Sequence, residues 1–183
     1  MLLRMLAENA DERGEEVWVA SLDLEKAFDM VYNASVIAAL DDAKVDSDIM
    51  RYLVCLYQQQ VSYISLDNSK SRLISILRGV RQGDPLSPLL FNNVTLGIFK
   101  DLKKNWANKR RGTDVCGSEM RKSTHAMFAD DATLVASSRQ QLVAMIKDVK
   151  EALTKHGLKL NLEKCCVQTT NERLCRQRRY AFA

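Results

Sequence analysis

The sequence predicts an α/β (α+β) fold with a ferredoxin-like β-α-β-β-α-β core, an antiparallel sheet and one inserted hairpin. Short β-rich runs are typical of strands, and two long helical patterns lie between them. A pair of adjacent aspartates divides the run at 124–137 into two strands joined by a tight turn. In this topology the first and third strands are central in the sheet. The core elements are predicted at 17–23, 88–106, 124–137, 139–156 and 158–168.

The N-terminal part of the chain is predicted to be a helix followed by a strand. Residues 1–13 have helical composition, and Gly14 ends that segment. The run VWVASLDL at 17–24 is short, β-rich and apolar, which is typical of a buried strand. Asp23 lies where this strand ends.

Two helices and the inserted hairpin are predicted before the long helix. A helical pattern runs from about Ser35 to Gln59 and breaks near Asp46 and Ser47, either of which can cap a second helix. The β-rich runs VSYISL and RLISIL flank DNSK, whose composition favours a turn. Residues 61–77 are therefore predicted to form a hairpin.

A loop with a specified backbone geometry precedes the long helix. The segment GVRQGDPLSP contains two glycines and both prolines of the chain. Ser87 followed by Pro88 fits an N-cap and a first helical position. Farther along, residues 107–123 are polar and basic, which is typical of a surface loop, and Gly157 is predicted to end the helix at 139–156.

Charge and hydropathy restrict the function only loosely. The formal net charge of +4 and the pI of about 8.8 permit a polyanionic partner without identifying one. No run approaches the roughly 18 apolar residues of a membrane helix, and the N-terminus has too short an apolar region for a signal peptide. We therefore expect an intracellular protein with no membrane partner.

The cysteines and histidines do not form a recognisable zinc motif. The five cysteines include no C-x-x-C pair, and His125 and His156 are not spaced as ligands with them. An odd number of cysteines in an intracellular chain indicates reduced thiols.

Asp130 and Asp131 interrupt an apolar run, where ionised carboxylates need compensation. In the predicted topology Asp23 ends the strand beside this hairpin, so three carboxylates converge at one edge of the sheet. Such a cluster is repulsive unless divalent cations neutralise it, and aspartate oxygens suit Mg²⁺. Two such ions about 4 Å apart can activate a 3′-hydroxyl and stabilise a leaving pyrophosphate. The arrangement indicates a nucleotidyl transferase.

Four motifs resemble, in their order and separations, the palm of a reverse transcriptase: SLDLEKAFD, RGVRQGDPLSPLLFN, FADD and GLKLNLEKC. The resemblance covers residues 1–169 and is strongest to non-LTR (LINE-type) retrotransposon enzymes, with group II intron enzymes next. It implies a polymerase palm that acts as an RNA-directed DNA polymerase on an RNA template and a DNA primer. The implied substrates are dNTPs, and the implied cofactor is Mg²⁺, with Mn²⁺ as a substitute. A eukaryotic retroelement would place the protein in the nucleus or cytoplasm.

The resemblance also implies a catalytic set of residues. Asp23 and Asp130 correspond to metal ligands, Asp131 completes the acidic cluster, and the backbone oxygen of Leu24 adds a metal contact. Lys164 corresponds to the lysine proposed in polymerases to protonate the departing pyrophosphate. From the residues alone, the alternatives are a helix cap at Asp23, a simple turn at the aspartate pair and a surface salt bridge at Lys164.

Nucleotide and template contacts are implied at two further places. Phe28 corresponds to an aromatic residue beneath the sugar of the incoming nucleotide, where a ring excludes a 2′-hydroxyl by clash; the alternative is a core residue. Gln82 and Gly83 correspond to residues of the nucleotide and template pocket, and Arg81 can meet a template phosphate. The alternatives are that Gly83 only forms a turn and that Arg81 is solvated. Asp29 is predicted to brace the turn beside Phe28.

The chain departs from the family in its extent. We expect the fingers region and the thumb of these enzymes to be missing, since Asp23 comes early and little follows residue 170. The expected domains are a partial palm at 1–169 and a basic, flexible tail at 170–183. The alternative function is an inactive retroelement remnant that binds nucleic acid weakly through residues 107–123 and the tail. A nucleotide cyclase of this topology would have a glycine-glycine-acidic hairpin where this chain has FADD.

Overall fold

The computed structural model describes residues 2–67, 69–114, 122–128 and 131–170. The remaining residues, which include Asp130 and nearly all of the tail predicted at 170–183, lie outside this description. The described chain separates into two compact units. The first unit is built from described residues within 1–25, 98–155 and 159–183, and the second from those within 26–97 and 156–158.

Helices and strands of the described residues are numbered separately in chain order. The helices are α1 Leu2–Arg13, α2 Ala27–Met30, α3 Asn33–Asp42, α4 Ser47–Gln58, α5 Ser87–Asn108 and α6 Arg139–Lys155. The strands are β1 Trp18–Leu22, β2 Val61–Ser62, β3 Ser65–Leu66, β4 Ser69–Lys70, β5 Ile74–Ser75, β6 Thr113–Asp114, β7 Lys122–Ser123, β8 His125–Phe128, β9 Asp131–Ala136 and β10 Cys166–Thr169. None of the described helices combines the length and the apolar content that a membrane span requires.

The sheet of the first unit has the predicted topology. Its strands are antiparallel in the order β10-β1-β9-β8, so the first and third strands of the core are central. In β1 the side chains of Trp18, Ala20 and Leu22 are buried, because alternate residues of a strand point to the same face. Helix α6 packs against β1 and β9. Its buried stripe consists of Leu142, Met145, Ile146, Val149 and Leu153.

The last strand begins later than the sequence predicts. Extended chain was predicted over 158–168, whereas β10 begins at Cys166. Before it, the backbone turns at Asn161, whose carbonyl accepts hydrogen bonds from the N–H groups of Lys164 and Cys165 at 3.1 Å. Asparagine favours turns, and this preference overrides the alternating pattern of the surrounding residues.

The helix starts of the second unit are decided by side-chain hydrogen bonds. Of the two predicted caps of α4, Asp46 is the N-cap, because its carboxylate accepts from the N–H of Asp48 at 2.9 Å. The prediction that Ser87 caps α5 is wrong. Ser87 already lies inside the first turn of this helix, and its hydroxyl donates to the carbonyl of Arg81 in the preceding loop.

The hairpin predicted at 61–77 is present as two short ladders. Strand β2 pairs with β5, and β3 pairs with β4, so the second arm already begins inside the predicted DNSK turn. Its large apolar side chains are exposed, as at Leu66 and Leu77. Since burial rather than apolar character stabilises a fold, these side chains contribute little to stability.

Replacing Leu134 by alanine is expected to lower the free energy of unfolding by about 3 kcal/mol, because truncating a buried leucine leaves a cavity. Leu134 lies in the central strand β9 and is 0% exposed. The matched control is Leu77→Ala, which removes the same atoms from a side chain that is 80% exposed, with an expected change below about 0.5 kcal/mol. Urea denaturation followed by circular dichroism measures both. Equal losses would contradict the burial pattern.

The basic segment at 107–123 is more structured than a surface loop. Its two ends pair as β6 and β7, and residues 115–121 lie outside the described residues. Arg111 forms an ion pair with Asp148, which also accepts a hydrogen bond from the indole of Trp106 at 2.8 Å. Arg111 is therefore committed to an internal contact, which leaves one cation fewer in this segment for the weak nucleic-acid binding of the alternative function.

Candidate active site

Asp23 directly follows the central strand β1, and its backbone is held from the side of β10. Its carbonyl accepts from the N–H of Asn161 at 2.8 Å, and its own N–H donates to the Sγ of Cys165 at 3.4 Å. The half-buried carboxylate is thus presented from a fixed backbone. The alternative of a helix cap fails, because the residue before α2 is Lys26.

Asp131 is the first residue of β9 and is exposed. The ladder of β1 and β9 ends at the pair Leu22–Ala132, so Asp23 and Asp131 are the next residues of the two chains beyond its last pair. Side chains directly opposite each other in an antiparallel pair have Cβ atoms about 5 Å apart. The structure therefore brings two of the three predicted carboxylates to the same end of adjacent central strands. The third, Asp130, lies outside the described residues.

The carbonyl of Leu24 points away from Leu160, the residue that it bridges. Leu24 and Leu160 form an isolated antiparallel bridge, flanked by hydrogen bonds from Glu25 N–H to Lys159 O and from Asn161 N–H to Asp23 O, both 2.8 Å. In this pattern the flanking residues make the hydrogen bonds, and the polar groups of the bridged residue point away from its partner. The predicted metal contact of Leu24 is consistent with this direction.

Lys164 lies in the turn that follows Asn161, with its Nζ 3.9 Å from the Oδ2 of Asp23. The lysine side chain is exposed, and a pair this long and exposed contributes little to stability. The proximity fits the predicted proton donor and also the alternative of a surface salt bridge.

The donors at this end of the sheet are oxygens, which fit a hard cation such as Mg²⁺. They are the carboxylates of Asp23 and Asp131 and the carbonyl of Leu24. Burial raises the pKa of the Cys165 thiol, which keeps this sulfur protonated and disfavours it as a ligand for a soft metal. Among the described residues, no three histidine, cysteine or acidic side chains come together as a metal site. Asp130, the third predicted ligand, is not among those residues.

The remaining predicted site residues belong to the second unit. There the ring of Phe28 stacks on that of Phe91, with centroids 4.9 Å apart and an angle of 28° between the planes. Phe91 is fully buried, whereas Phe28 is half-buried. Phe28 therefore has a core contact on one side and an accessible surface elsewhere. The core contact fits the interpretation as a core residue, and the accessible surface leaves room for the interpretation as the ring beneath the sugar.

The loop before α5 runs alongside the short helix α2, which carries Phe28. Gly79 N–H donates to the carbonyl of Val31 at 2.8 Å, and Val80 N–H donates to that of Phe28 at 2.7 Å. Gly79 has a φ of +92°, and a Cβ there would stand 2.9 Å from the carbonyl oxygen of Asp29. Only glycine fits this close approach.

The side chain of Gln82 contacts helix α2, whereas its neighbours Arg81 and Gly83 are exposed to solvent. The Nε2 of Gln82 donates to the Oδ1 of Asp29 at 2.8 Å. Arg81 and Gly83 are exposed, and Gly83 has a φ of +85° with open space around it. The contact between Asp29 and Gln82 was missed by sequence reasoning, since no periodicity relates residues 53 positions apart.

A family comparison identifies the chain. The profile described as reverse transcriptase (RNA-dependent DNA polymerase) matches residues 2–180. The chain belongs to the reverse transcriptase family. This confirms the family that the four motifs predicted.

Relatives of this reverse transcriptase chain include proteins of the non-LTR retrotransposable element R2. It is 33% identical over 164 residues to the Retrovirus-related Pol polyprotein from type-1 element R2 of Nasonia vitripennis, covering 90% of this chain and 15% of that protein. The corresponding protein of Bradysia coprophila is also 33% identical, covering 90% and 18%. The type-2 element R2DM protein of Drosophila melanogaster is 29% identical, covering 90% and 15%. The chain thus spans less than a fifth of the length of these relatives.

Solved structures with the same fold include telomerases. The telomerase of Candida tropicalis in complex with a TWJ fragment of telomeric RNA has a TM-score of 0.69 at 13% identity, covering 93% of this reverse transcriptase chain and 29% of that one. Apo telomerase of the same organism gives 0.69 at 13%, covering 94% and 32%. These similarities confirm the predicted polymerase palm fold.

Proposed function

We propose that this reverse transcriptase domain carries out RNA-directed DNA synthesis, the template-directed addition of dNTPs to the 3′-hydroxyl of a DNA primer. The main support for the proposal is the register of β1 and β9, whose last pair, Leu22–Ala132, directly adjoins Asp23 and Asp131 at the same end of the two central strands. Template, primer, dNTPs and a nuclear or cytoplasmic location are parts of the same proposal. The family relationship and the motifs around Asp23 support them.

Divalent metal is general to reverse transcriptases, and we assign Mg²⁺ to this chain, with Mn²⁺ as a substitute. The ligands in this proposal are the carboxylates of Asp23, Asp130 and Asp131 and the carbonyl of Leu24. Two divalent ions bound in such a site activate an attacking hydroxyl and stabilise the leaving group. The all-oxygen donor set supports Mg²⁺ over softer metals.

The protein groups of this site have distinct roles in the proposal. Asp23 supplies a carboxylate from a backbone held on one side by Asn161 and Cys165, so its position is fixed before substrates bind. The ammonium group of Lys164, whose Nζ lies 3.9 Å from Oδ2 of Asp23, donates a proton to the departing pyrophosphate.

Residues of the second unit are assigned to nucleotide and template. The ring of Phe28, held by stacking on Phe91, excludes a 2′-hydroxyl. Gln82 and Gly83 line the pocket, where glycine permits a close backbone approach and the amide can bond to a sugar or a base edge. The exposed guanidinium of Arg81 contacts phosphate.

Primer extension on an RNA template tests this function. The wild-type chain is expected to extend a labelled DNA primer with dNTPs in Mg²⁺ or Mn²⁺ and to stop when EDTA is added. Extension on this template that is insensitive to EDTA would contradict the metal-dependent mechanism. No extension under any condition would contradict the proposed activity of this chain and favour the alternative, an inactive remnant with weak nucleic-acid binding.

A further inference from the structure

The hydrogen bond between Gln82 and Asp29 joins two segments of the second unit that are distant in sequence. Nε2 of Gln82 lies 2.8 Å from Oδ1 of Asp29, across 53 positions, and both side chains are exposed. An exposed pair of this kind contributes little to stability. The functional importance of this hydrogen bond therefore depends on whether it fixes the orientation of the Gln82 side-chain amide.

The backbone around this pair leaves little freedom for either partner. Gly79 and Val80 donate to the carbonyls of Val31 and Phe28, so the loop lies against the short helix α2 that carries Asp29. On its other side, the hydroxyl of Ser87 holds the carbonyl of the residue before Gln82. The contact thus follows from a loop fixed at both ends.

The chemistry of the pair determines which end of the amide is free. A carboxylate only accepts hydrogen bonds, so the NH₂ end of Gln82 must face Asp29. The carbonyl oxygen Oε1 is then the end of the amide that remains for a ligand. A free glutamine would present either end.

We propose that Asp29 is a positioning residue that orients the side-chain amide of Gln82, so that the loop offers a carbonyl oxygen to a hydroxyl or amino group of the incoming nucleotide or the template. The inference rests on the proposed function, because the ligand is the polymerase substrate. It adds a role for Asp29, which lies next to the residue assigned to sugar selection.

Asp29→Asn is expected to raise the KM for dNTP about tenfold and to change kcat less than about threefold, because asparagine can donate or accept and no longer imposes one orientation of the amide. The matched control is Asp42→Asn, which removes the same charge from an exposed position on α3 and should change neither constant. An unchanged KM in Asp29→Asn would overturn the proposal.

Exchanging the two groups separates orientation from charge. In the double variant Asp29→Asn/Gln82→Glu, the asparagine amide donates to one glutamate oxygen, and the other oxygen again faces away as an acceptor. The net charge equals that of the wild type. We expect the KM of the double variant to return to within about threefold of the wild-type value. Gln82→Glu alone sets two carboxylates against each other, so its KM should be higher than that of Asp29→Asn and that of the double variant. No recovery in the double variant would overturn the orientation argument.

A nuclear magnetic resonance measurement reads the positioning without activity. The side-chain NH₂ signal of Gln82, assigned by its disappearance in Gln82→Met, is expected to move and to exchange faster with water in Asp29→Asn but not in Asp42→Asn. An unmoved signal would overturn the proposal even in an active enzyme. A moved signal in a wild-type chain that does not polymerise would support the positioning role and contradict the proposed function.

Discussion

Replacing Asp23 by asparagine is expected to reduce nucleotide addition by on the order of a thousandfold, about 4 kcal/mol of activation free energy. The change removes one negative charge from the oxygen cluster while keeping the size of the side chain. The backbone contacts of Asp23 to Asn161 and Cys165 do not involve the carboxylate and should persist. The loss should therefore appear in metal binding and catalysis.

The fold is expected to survive this substitution. Asp23 and Asp131 adjoin the last pair of the ladder of β1 and β9, so removing one charge should relieve repulsion between like charges. The ion pair with Lys164 is exposed and contributes little. We expect the free energy of unfolding to change by less than about 1 kcal/mol.

Three measurements on the same protein check the Asp23→Asn result. They are primer extension, Mn²⁺ binding by electron paramagnetic resonance, and thermal unfolding, with Asp42→Asn as the control for charge. Asp130→Asn is expected to behave like Asp23→Asn, since the motif gives both residues the same role. A variant that unfolds, or that binds Mn²⁺ as tightly as the wild type, would contradict the metal assignment.

Local patterns predicted the architecture because its elements are encoded by neighbouring residues. The run at 17–24 is short, β-rich and apolar, as a buried strand is, and the stripe on α6 recurs with the helical period. Once the order of these elements is known, the β-α-β-β-α-β topology makes the first and third strands central. This topology alone, without any predicted long-range contact, led to the prediction that Asp23 lies beside the hairpin that carries Asp131.

The sequence-based predictions were wrong or incomplete where a polar side chain contacts a group outside its own local segment. Ser87 is of a residue type that commonly caps helices, yet its hydroxyl donates a hydrogen bond to the carbonyl of Arg81. Arg111 lies in the segment predicted to be a surface loop, yet it pairs with Asp148 of helix α6. The contact of Gln82 with Asp29 is of the same kind. Periodicity reports which face of an element is buried, and it carries no information on which polar groups meet.

Replacing Phe28 by valine is expected to lower the preference for dNTP over rNTP on the order of 100-fold, equivalent to about 2.7 kcal/mol. Valine removes the ring that would clash with a 2′-hydroxyl and keeps an apolar side chain. The measurement is single-nucleotide incorporation with each substrate, compared as the ratio of kcat/KM. Phe28→Tyr keeps the ring and is the matched control, with an expected ratio within a few-fold of the wild type.

Stability and selectivity together separate the two interpretations of Phe28. Its stacking on Phe91 predicts that Phe28→Val loses stability whatever its function, because the buried partner ring loses contacts. A residue of the core alone would show this loss with an unchanged ratio of dNTP to rNTP incorporation. A residue beneath the sugar would lose the preference for dNTP as well as stability. In that case the sugar of the nucleotide meets the accessible side of Phe28, where a smaller apolar side chain no longer excludes a 2′-hydroxyl.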